Sequence, residues 1–218
     1  MQVMRLMLLI AFSLFNILNG QENKNINYKE DQIYLNFNFD FQLKSIEGYQ
    51  QNGFSRSFNL GLLKDISLNK KGNKALALGL GYGYSRLVNN LDVGQDLNFI
   101  IEGDSALRNR LSHHTIQLPI ELRIRTSTLE SFAFWRVYLG YRLNYNFLAK
   151  YKPFFGRKTT LKNYVSDFSH CLSLSLGFNT WNIRFETGLS PLIKTSSTSN
   201  NLNNDFYISS VGLVFYLL

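Results

Sequence analysis

The sequence predicts an all-β protein: an eight-stranded antiparallel transmembrane β-barrel of the outer-membrane type, following an N-terminal signal peptide. Three observations predict it. Long runs of strict apolar/polar alternation recur along the chain. The polar face of those runs is rich in Gly, Ser and Ala instead of Lys and Glu, unlike a sheet that meets water. After residue 20 no stretch is apolar for the roughly 20 residues that a membrane-spanning helix needs. Lipid tolerates only helices and closed barrels, so an exported chain of long two-faced strands points to the barrel.

Composition removes several other classes. Hydrophobic residues make up 45% of the 218 and charged residues 17%, which is too apolar and too weakly charged for a disordered chain. A single cysteine excludes an internal disulfide and a multi-Cys zinc cluster. The 18 Phe and 12 Tyr favour strands. A net charge of +8 invites a nucleic-acid reading, but no binding motif accompanies it, and no nucleic-acid partner is expected.

Residues 1–20 read as the signal peptide: Arg5 is the positive start, Leu6 to Leu18 is mostly apolar, and Gly20 is small. Residues 21–32 are expected to be a short periplasmic tail, and 33–218 the barrel. The first strand places Ile33, Leu35, Phe37, Phe39, Phe41 and Leu43 at every second position, about the 9–11 residues or more that a spanning strand requires. Phe58–Leu62, Leu76–Tyr84, Ile116–Ile124, Trp135–Phe147, Phe168–Phe178, Trp181–Leu189 and Phe206–Leu218 continue the pattern. In the last run Tyr207, Val211, Leu213, Phe215 and Leu217 are expected to face outward. Eight runs give the even count that single-chain bacterial barrels show.

The connections alternate in kind. Segments 64–73, 126–134 and 179–181 read as periplasmic turns, while 86–112, 149–166 and 190–205 are longer and polar, the asymmetry expected of an outer-membrane barrel. Trp135 and Trp181 fall at periplasmic strand ends, where an aromatic girdle belongs.

On the polar faces lie Glu121, Arg123, Arg125, Arg136, Arg142, Arg184 and Glu186. The interior of an eight-stranded barrel is filled by side chains, so Arg beside Glu predicts a hydrogen-bonded plug. The outer-loop cations Lys150, Lys152, Arg157, Lys158 and Lys162 are placed to meet lipid phosphates. His113, His114, His170 and Asp167, with Ser112 and Ser169, gather near the outer rim; catalysis there needs a nucleophile and an oriented base, and strand-end residues of these types are common without it. Asp92, Asp96, Glu102 and Asp104 crowd one outer loop but match no EF-hand spacing. Cys171 reads as a small lumen filler. Gly79, Gly81 and Gly83 share one strand face with no helix following, which is not a phosphate loop. No catalytic site, metal, cofactor or small-molecule substrate is expected.

The segments Phe54–Asn69, Ala75–Ser85 and especially Gln117–Tyr145 resemble PorT family proteins. The resemblance covers roughly 33–218. It is carried by Pro119, Glu121, Arg123, Arg125, Thr126, Ser127 and Thr128, followed by Phe134, Trp135 and Arg136. It implies an outer-membrane barrel of Bacteroidetes associated with type IX secretion and, in gliding species, with gliding motility. It implies no catalytic site, and it implies other type IX components as partners alongside outer-membrane lipid. The expected function is then a non-enzymatic accessory role in assembling or stabilising the secretion machinery. The alternative is a stand-alone small barrel for adhesion or envelope integrity. The turn Thr126–Phe134 with Trp135 is the candidate docking surface, and the charged cluster either fixes that turn for a partner or only stabilises the fold.

Overall fold

The computed structural model describes residues 32–43, 48–93, 99–101, 108–126, 135–178, 181–194 and 206–217. The expected signal peptide and all of the tail before residue 32 lie outside these residues. The strands are β1 (Gln32–Gln42), β2 (Arg56–Ser67), β3 (Lys74–Asn89), β4 (Leu91–Val93), β5 (Phe99–Ile101), β6 (Asn109–Arg125), β7 (Trp135–Lys152), β8 (Thr159–Thr160), β9 (Phe168–Phe178), β10 (Trp181–Gly188) and β11 (Ile208–Leu217), with a 3₁₀ turn at Lys162–Tyr164. Eight of them close in the order β1, β2, β3, β6, β7, β9, β10, β11, each antiparallel to its neighbours. The first and last strands seal the wall from Ile33↔Leu217 to Gln42↔Ile208. β4 and β5 form a separate small hairpin, and β8 adds to the outer end of β7.

Each spanning strand obeys the alternation. On β1 Asn36, Asn38 and Asp40 are buried in the lumen while Ile33, Phe37 and Phe39 are exposed on the wall. On β11 Val214 and Tyr216 turn inward and Leu213 and Leu217 outward, the parity expected from the sequence. An exposed apolar surface of this extent is costly in water and favourable in hydrocarbon. Among the described residues no helix is long and apolar enough to cross a membrane; the crossing is made by strands.

The glycine run on β3 makes room for the lumen. A Cβ at Gly81 would lie 2.1 Å from the Tyr34 hydroxyl, and one at Gly83 would lie 2.2 Å from Gln117 Nε2. Tyr34 therefore reaches across the interior and donates to Gln117 Oε1 at 3.3 Å, while Gln117 Nε2 donates to Asn59 at 2.7 Å.

Several strands run further than the alternation suggests. β2 continues through residues 64–67, within the segment expected to be a turn. β3 reaches Asn89, β6 begins at Asn109, and β7 includes Lys150 and Lys152, within segments expected to be outer loops. The physical reason is a change in what each face meets. Past the hydrocarbon core the lumen side becomes apolar, with Leu87, Leu111, Ala149 and Tyr151 buried. The outer side there carries Arg86, Arg110, Lys150 and Lys152. At the opposite end Leu63 turns inward and Lys64 outward. On β2, β3 and β6 strand parity is unbroken while polarity inverts; on β7 an extra residue between Asn146 and Leu148 shifts it. A register shift between His114 and Thr115 adds one more interruption to the pattern on the β6–β7 pair.

The 18 residues of β7 span about 60 Å at about 3.3 Å each, or about 45 Å along the axis at the usual tilt, against an apolar band of about 25 Å. The surplus builds a crown on the end bearing the long connections 43–55, 90–108, 153–167 and 189–207. Its own apolar core joins Leu87, Leu91, Leu111, Ala149, Tyr151, Leu161, Val165, Leu192, Ile193 and Phe206. The opposite end carries the short connections 68–73, 126–134 and 179–180.

Candidate functional site

The lumen near the short-turn end holds a buried charge network. Glu121 on β6 is its centre. Glu121 Oε2 accepts from Arg123 Nε at 3.1 Å and Nη2 at 3.0 Å. Its other oxygen accepts from Arg184 Nη2 at 2.5 Å, and the Tyr216 hydroxyl donates to it at 3.3 Å. Arg184 also donates to Ser175 at 2.7 Å. Arg123 lies over the rings of Tyr138 and Tyr216, 4.8 and 5.1 Å from their centroids, a cation–π arrangement favoured away from water.

Asp65 completes this network. One oxygen takes Arg123 Nη1 at 2.5 Å and the other Arg125 Nη1 at 2.7 Å. Arg125 Nε donates to the Gly72 carbonyl at 3.0 Å, which ties the lumen to the turn 68–73. Arg136 is buried opposite Arg125 in register at the start of β7. Sequence reasoning missed Asp65 because it ended β2 at Leu62, where the polarity inverts. Extending the same parity through Asn59, Gly61 and Leu63 would have found it.

A second layer lies toward the crown. Arg142 meets Glu186 with Nη1–Oε2 at 2.8 Å and Nη2–Oε1 at 3.2 Å, a two-point contact suited to guanidinium and carboxylate. Asn38 and Ser210 donate to the same carboxylate at 3.2 and 3.4 Å. Asp40, 2% exposed, accepts from Ser57 at 2.7 Å and from Ser85 at 2.9 Å. Between these groups and the apolar crown is a polar cavity of about 100 Å³, bordered by Asp40, Gln117, Arg142, Cys171 and Glu186. The site residues expected from the sequence thus separate into two layers: Glu121, Arg123, Arg125 and Arg184 with Asp65 below, Arg142 and Glu186 above.

At the turn 126–134, the Thr126 amide donates to the Trp135 carbonyl at 3.1 Å, and the Trp135 amide donates to Thr126 Oγ1 at 3.0 Å. Ser127 and Thr128 lie outside the described residues. Trp135 and Trp181 are each 63% exposed on the wall. They join Phe178 and Phe215 in one cross-strand row, with ring separations of 5.3 Å for Trp135–Phe178 and 4.9 Å for Trp181–Phe215.

The rim histidines do not converge. His114 and His170 face outward, each beside a tyrosine of a neighbouring strand: His114 Nδ1 is 2.6 Å from the Tyr82 hydroxyl and His170 Nδ1 is 3.0 Å from that of Tyr141. His113 faces inward beneath the crown. Ser112 lies on the outer wall, and Ser169 faces the lumen, where Asn146 donates to it at 3.3 Å. Asp167 is held by Lys162 and Lys194, whose ammonium groups keep its carboxyl below the usual range. These residues therefore assemble no nucleophile with an oriented base. Asp92 accepts from the Tyr151 hydroxyl; Asp96, Glu102 and Asp104 lie outside the described residues. Among the described residues no cluster of His, Cys, Asp and Glu could hold a metal ion.

A closed wall of eight strands, apolar outside and filled by a polar lumen, defines an integral membrane barrel. The chain belongs to the outer membrane protein beta-barrel domain family, whose model matches residues 19–194. It is an outer-membrane protein; barrels of this kind typically turn their short connections to the periplasm and their long ones outward. Among solved structures the chain is similar to Ail, the attachment invasion locus protein of Yersinia pestis. With the complex of Ail and the heparin analogue sucrose octasulfate it shares 15% identity over 86% of this chain and 97% of that one, at a TM-score of 0.40. With Ail in a phospholipid bilayer nanodisc the values are 14%, 86%, 100% and 0.33. No curated protein matches the chain.

Proposed function

We propose that this barrel is a non-conducting, non-enzymatic outer-membrane scaffold that holds an external surface for adhesion or envelope integrity. One observation carries this reading: the lumen is filled by ion pairs while β3, β6 and β7 continue beyond the bilayer into a crown with its own packed core. A transport barrel invests in an open interior; this one invests in what stands outside. The test compares a deletion strain with strains carrying the wild-type gene or a crown-replacement gene (153–164 exchanged for a Gly/Ser loop). Attachment to coated surfaces and resistance to detergent are scored. Loss in the deletion and crown-replacement strains, with rescue only by the wild-type gene, supports the reading. Unchanged attachment and resistance in the deletion strain sinks it.

A second reading is an accessory component of type IX protein secretion, acting in assembly or stability of that machinery. The resemblance of Pro119–Arg136 to PorT family proteins favours it. So does the way the buried cluster reaches the short-turn end, where Arg125 donates to the Gly72 carbonyl and immediately precedes Thr126 in the chain. The expected partners are other secretion components bound at the turn 126–134. The secreted protein profile of the deletion strain tests it, set against Glu121→Ala/Arg123→Ala and a replacement of the turn. An unchanged profile in the deletion strain removes this reading.

A further inference from the structure

The outer wall of β2, β3, β6 and β7 carries an arrangement that the barrel itself does not require. Arg56 on β2 stands directly opposite Arg86 on β3, and Arg86 directly opposite Ser112 on β6, which in turn faces Lys150 on β7. One step further out Arg110 stands opposite Lys152. All these side chains have outward parity. Opposed residues in an antiparallel pair have Cβ atoms about 5 Å apart, and like charges there are destabilising. No described carboxylate pairs with Arg56, Arg86, Arg110, Lys150 or Lys152. The acidic groups of the chain's interior are spent on the lumen, and Asp167 is engaged by Lys162 and Lys194. A row of cations with no counter-charge among the described residues offers a place for an anion between them.

The neighbouring row supplies the other half of a binding surface. One register step toward the membrane centre lie Phe37, Phe58, Tyr84 and His114, again directly opposite one another around the wall. Phe37 and Phe58 have centroids 5.0 Å apart, and Tyr84 and His114 the same separation. Aromatic girdles mark the boundary between hydrocarbon and headgroups, and Tyr84 and His114 bring polar tips to this one, so the cation row stands at headgroup height. Below Arg56 a groove of about 530 Å³ opens on the lipid-facing wall between Phe37, Phe39, Phe54, Phe58 and Leu213. A groove of this kind on a membrane wall is filled by lipid, and its one charged border is a guanidinium.

We propose that this wall binds an outer-leaflet lipid with a phosphorylated headgroup, the phosphate bridging Arg56 and Arg86 and an acyl chain lying in the groove along Phe37 and Phe58. Guanidinium offers phosphate paired donors in a fixed plane, and two of them on adjacent strands suit one phosphate. The cation row continuing to Lys150 and Lys152 meets further phosphates of the same leaflet. This site concerns the wall and not the crown or the periplasmic turn, so it stands or falls separately from both functional readings above.

The test uses the full mature barrel, with folding verified for every variant by its gel mobility before and after heating. Barrels are mixed with lipid A carrying its phosphates, exchanged into mild detergent and weighed by native mass spectrometry. Wild-type protein is expected to keep phosphorylated lipid. Arg56→Gln/Arg86→Gln is expected to keep about tenfold less, the scale of losing charged hydrogen bonds, and Phe58→Ala is expected to lower retention as well. The loop variant Arg157→Gln/Lys158→Gln is expected to match wild type. Lipid A stripped of phosphate is expected to wash off wild type as readily as the intact lipid leaves the double variant. Equal retention by wild type and the double variant overturns the proposal, as does equal retention of the stripped lipid or unchanged retention in Phe58→Ala. Displacement of the lipid by an equal concentration of inorganic phosphate overturns it too, because the groove would then contribute nothing. A doubled barrel mass through this face would assign it to a second copy instead.

Discussion

Arg184 on β10 spans the lumen to Glu121 on β6, with β7 and β9 lying between those two strands in the wall. The pair therefore braces opposite parts of the cylinder and not adjacent strands. Both partners are nearly shut off from solvent, with side-chain exposures of 4% and 2%. A buried ion pair is costly to break from one side, because the remaining charge is left without its partner.

Glu121→Ala should accordingly destabilise the barrel by about 3–5 kcal/mol, because it leaves Arg123 and Arg184 facing a void. Urea titration of the refolded protein in micelles reads this as a lower midpoint. Glu121→Leu/Arg184→Leu should lose less than the sum of the single substitutions. Strict additivity would show that the two side chains do not act as a strut.

The close approach at Gly81 gives a second outcome. Gly81→Val must displace Tyr34, whose hydroxyl lies where the new Cβ would sit. Overpacking of this kind costs about 1–3 kcal/mol, and Gly81→Val/Tyr34→Ala should recover part of it. A single variant as stable as wild type would show that the lumen at this level has slack.

Much of the barrel was legible in the sequence because a spanning strand must show lipid one face and the lumen the other. From Ile33 to Phe41 and from Trp135 to Tyr145 nothing interrupts that requirement. Legibility stopped where the solvent changed. Arg86 outward and Leu87 inward reverse the code on one strand, so β3 was read as ending at Ser85. The same reversal at Leu63 and Lys64 hid Asp65. The inward placement of Glu121, Arg123 and Arg184 follows from parity, but their partners do not. That Arg184 meets Glu121 while Arg142 meets Glu186 depends on how the sheet closes, and no local pattern encodes closure.

The crown's core should respond independently of the wall. Phe206 is 1% exposed among Leu192, Ile193 and their neighbours, and Phe206→Ala should cost about 3–5 kcal/mol locally. Limited proteolysis should then cut the outer loops while the membrane-embedded strands stay protected. Loops that remain uncut would show that the crown does not rest on this ring.

Acid should loosen one edge of the crown. Asp167 titrates below its ordinary value of about 3.9 because Lys162 and Lys194 donate to it. A depressed carboxylate contributes stability above its unfolded value and loses that contribution as pH falls through its folded value. Amide exchange at 162–167 and 194 should therefore quicken below about pH 4, and Asp167→Asn should show the same faster exchange at neutral pH. Exchange that is flat across this range in wild type would assign the contact no weight.

The crown core also gives insertion a direction. Leu87, Tyr151, Leu161, Ile193 and Phe206 come from three outer hairpins, β3–β6, β7–β9 and β10–β11, so they can meet only after all three have passed through the bilayer. Once joined they form a knob on the far side, and withdrawing any single hairpin would mean pulling its apolar residues out of that knob and into water. The barrel behaves like a rivet: threaded from one side, headed on the other, and held by a head that is made only after the shank is in place.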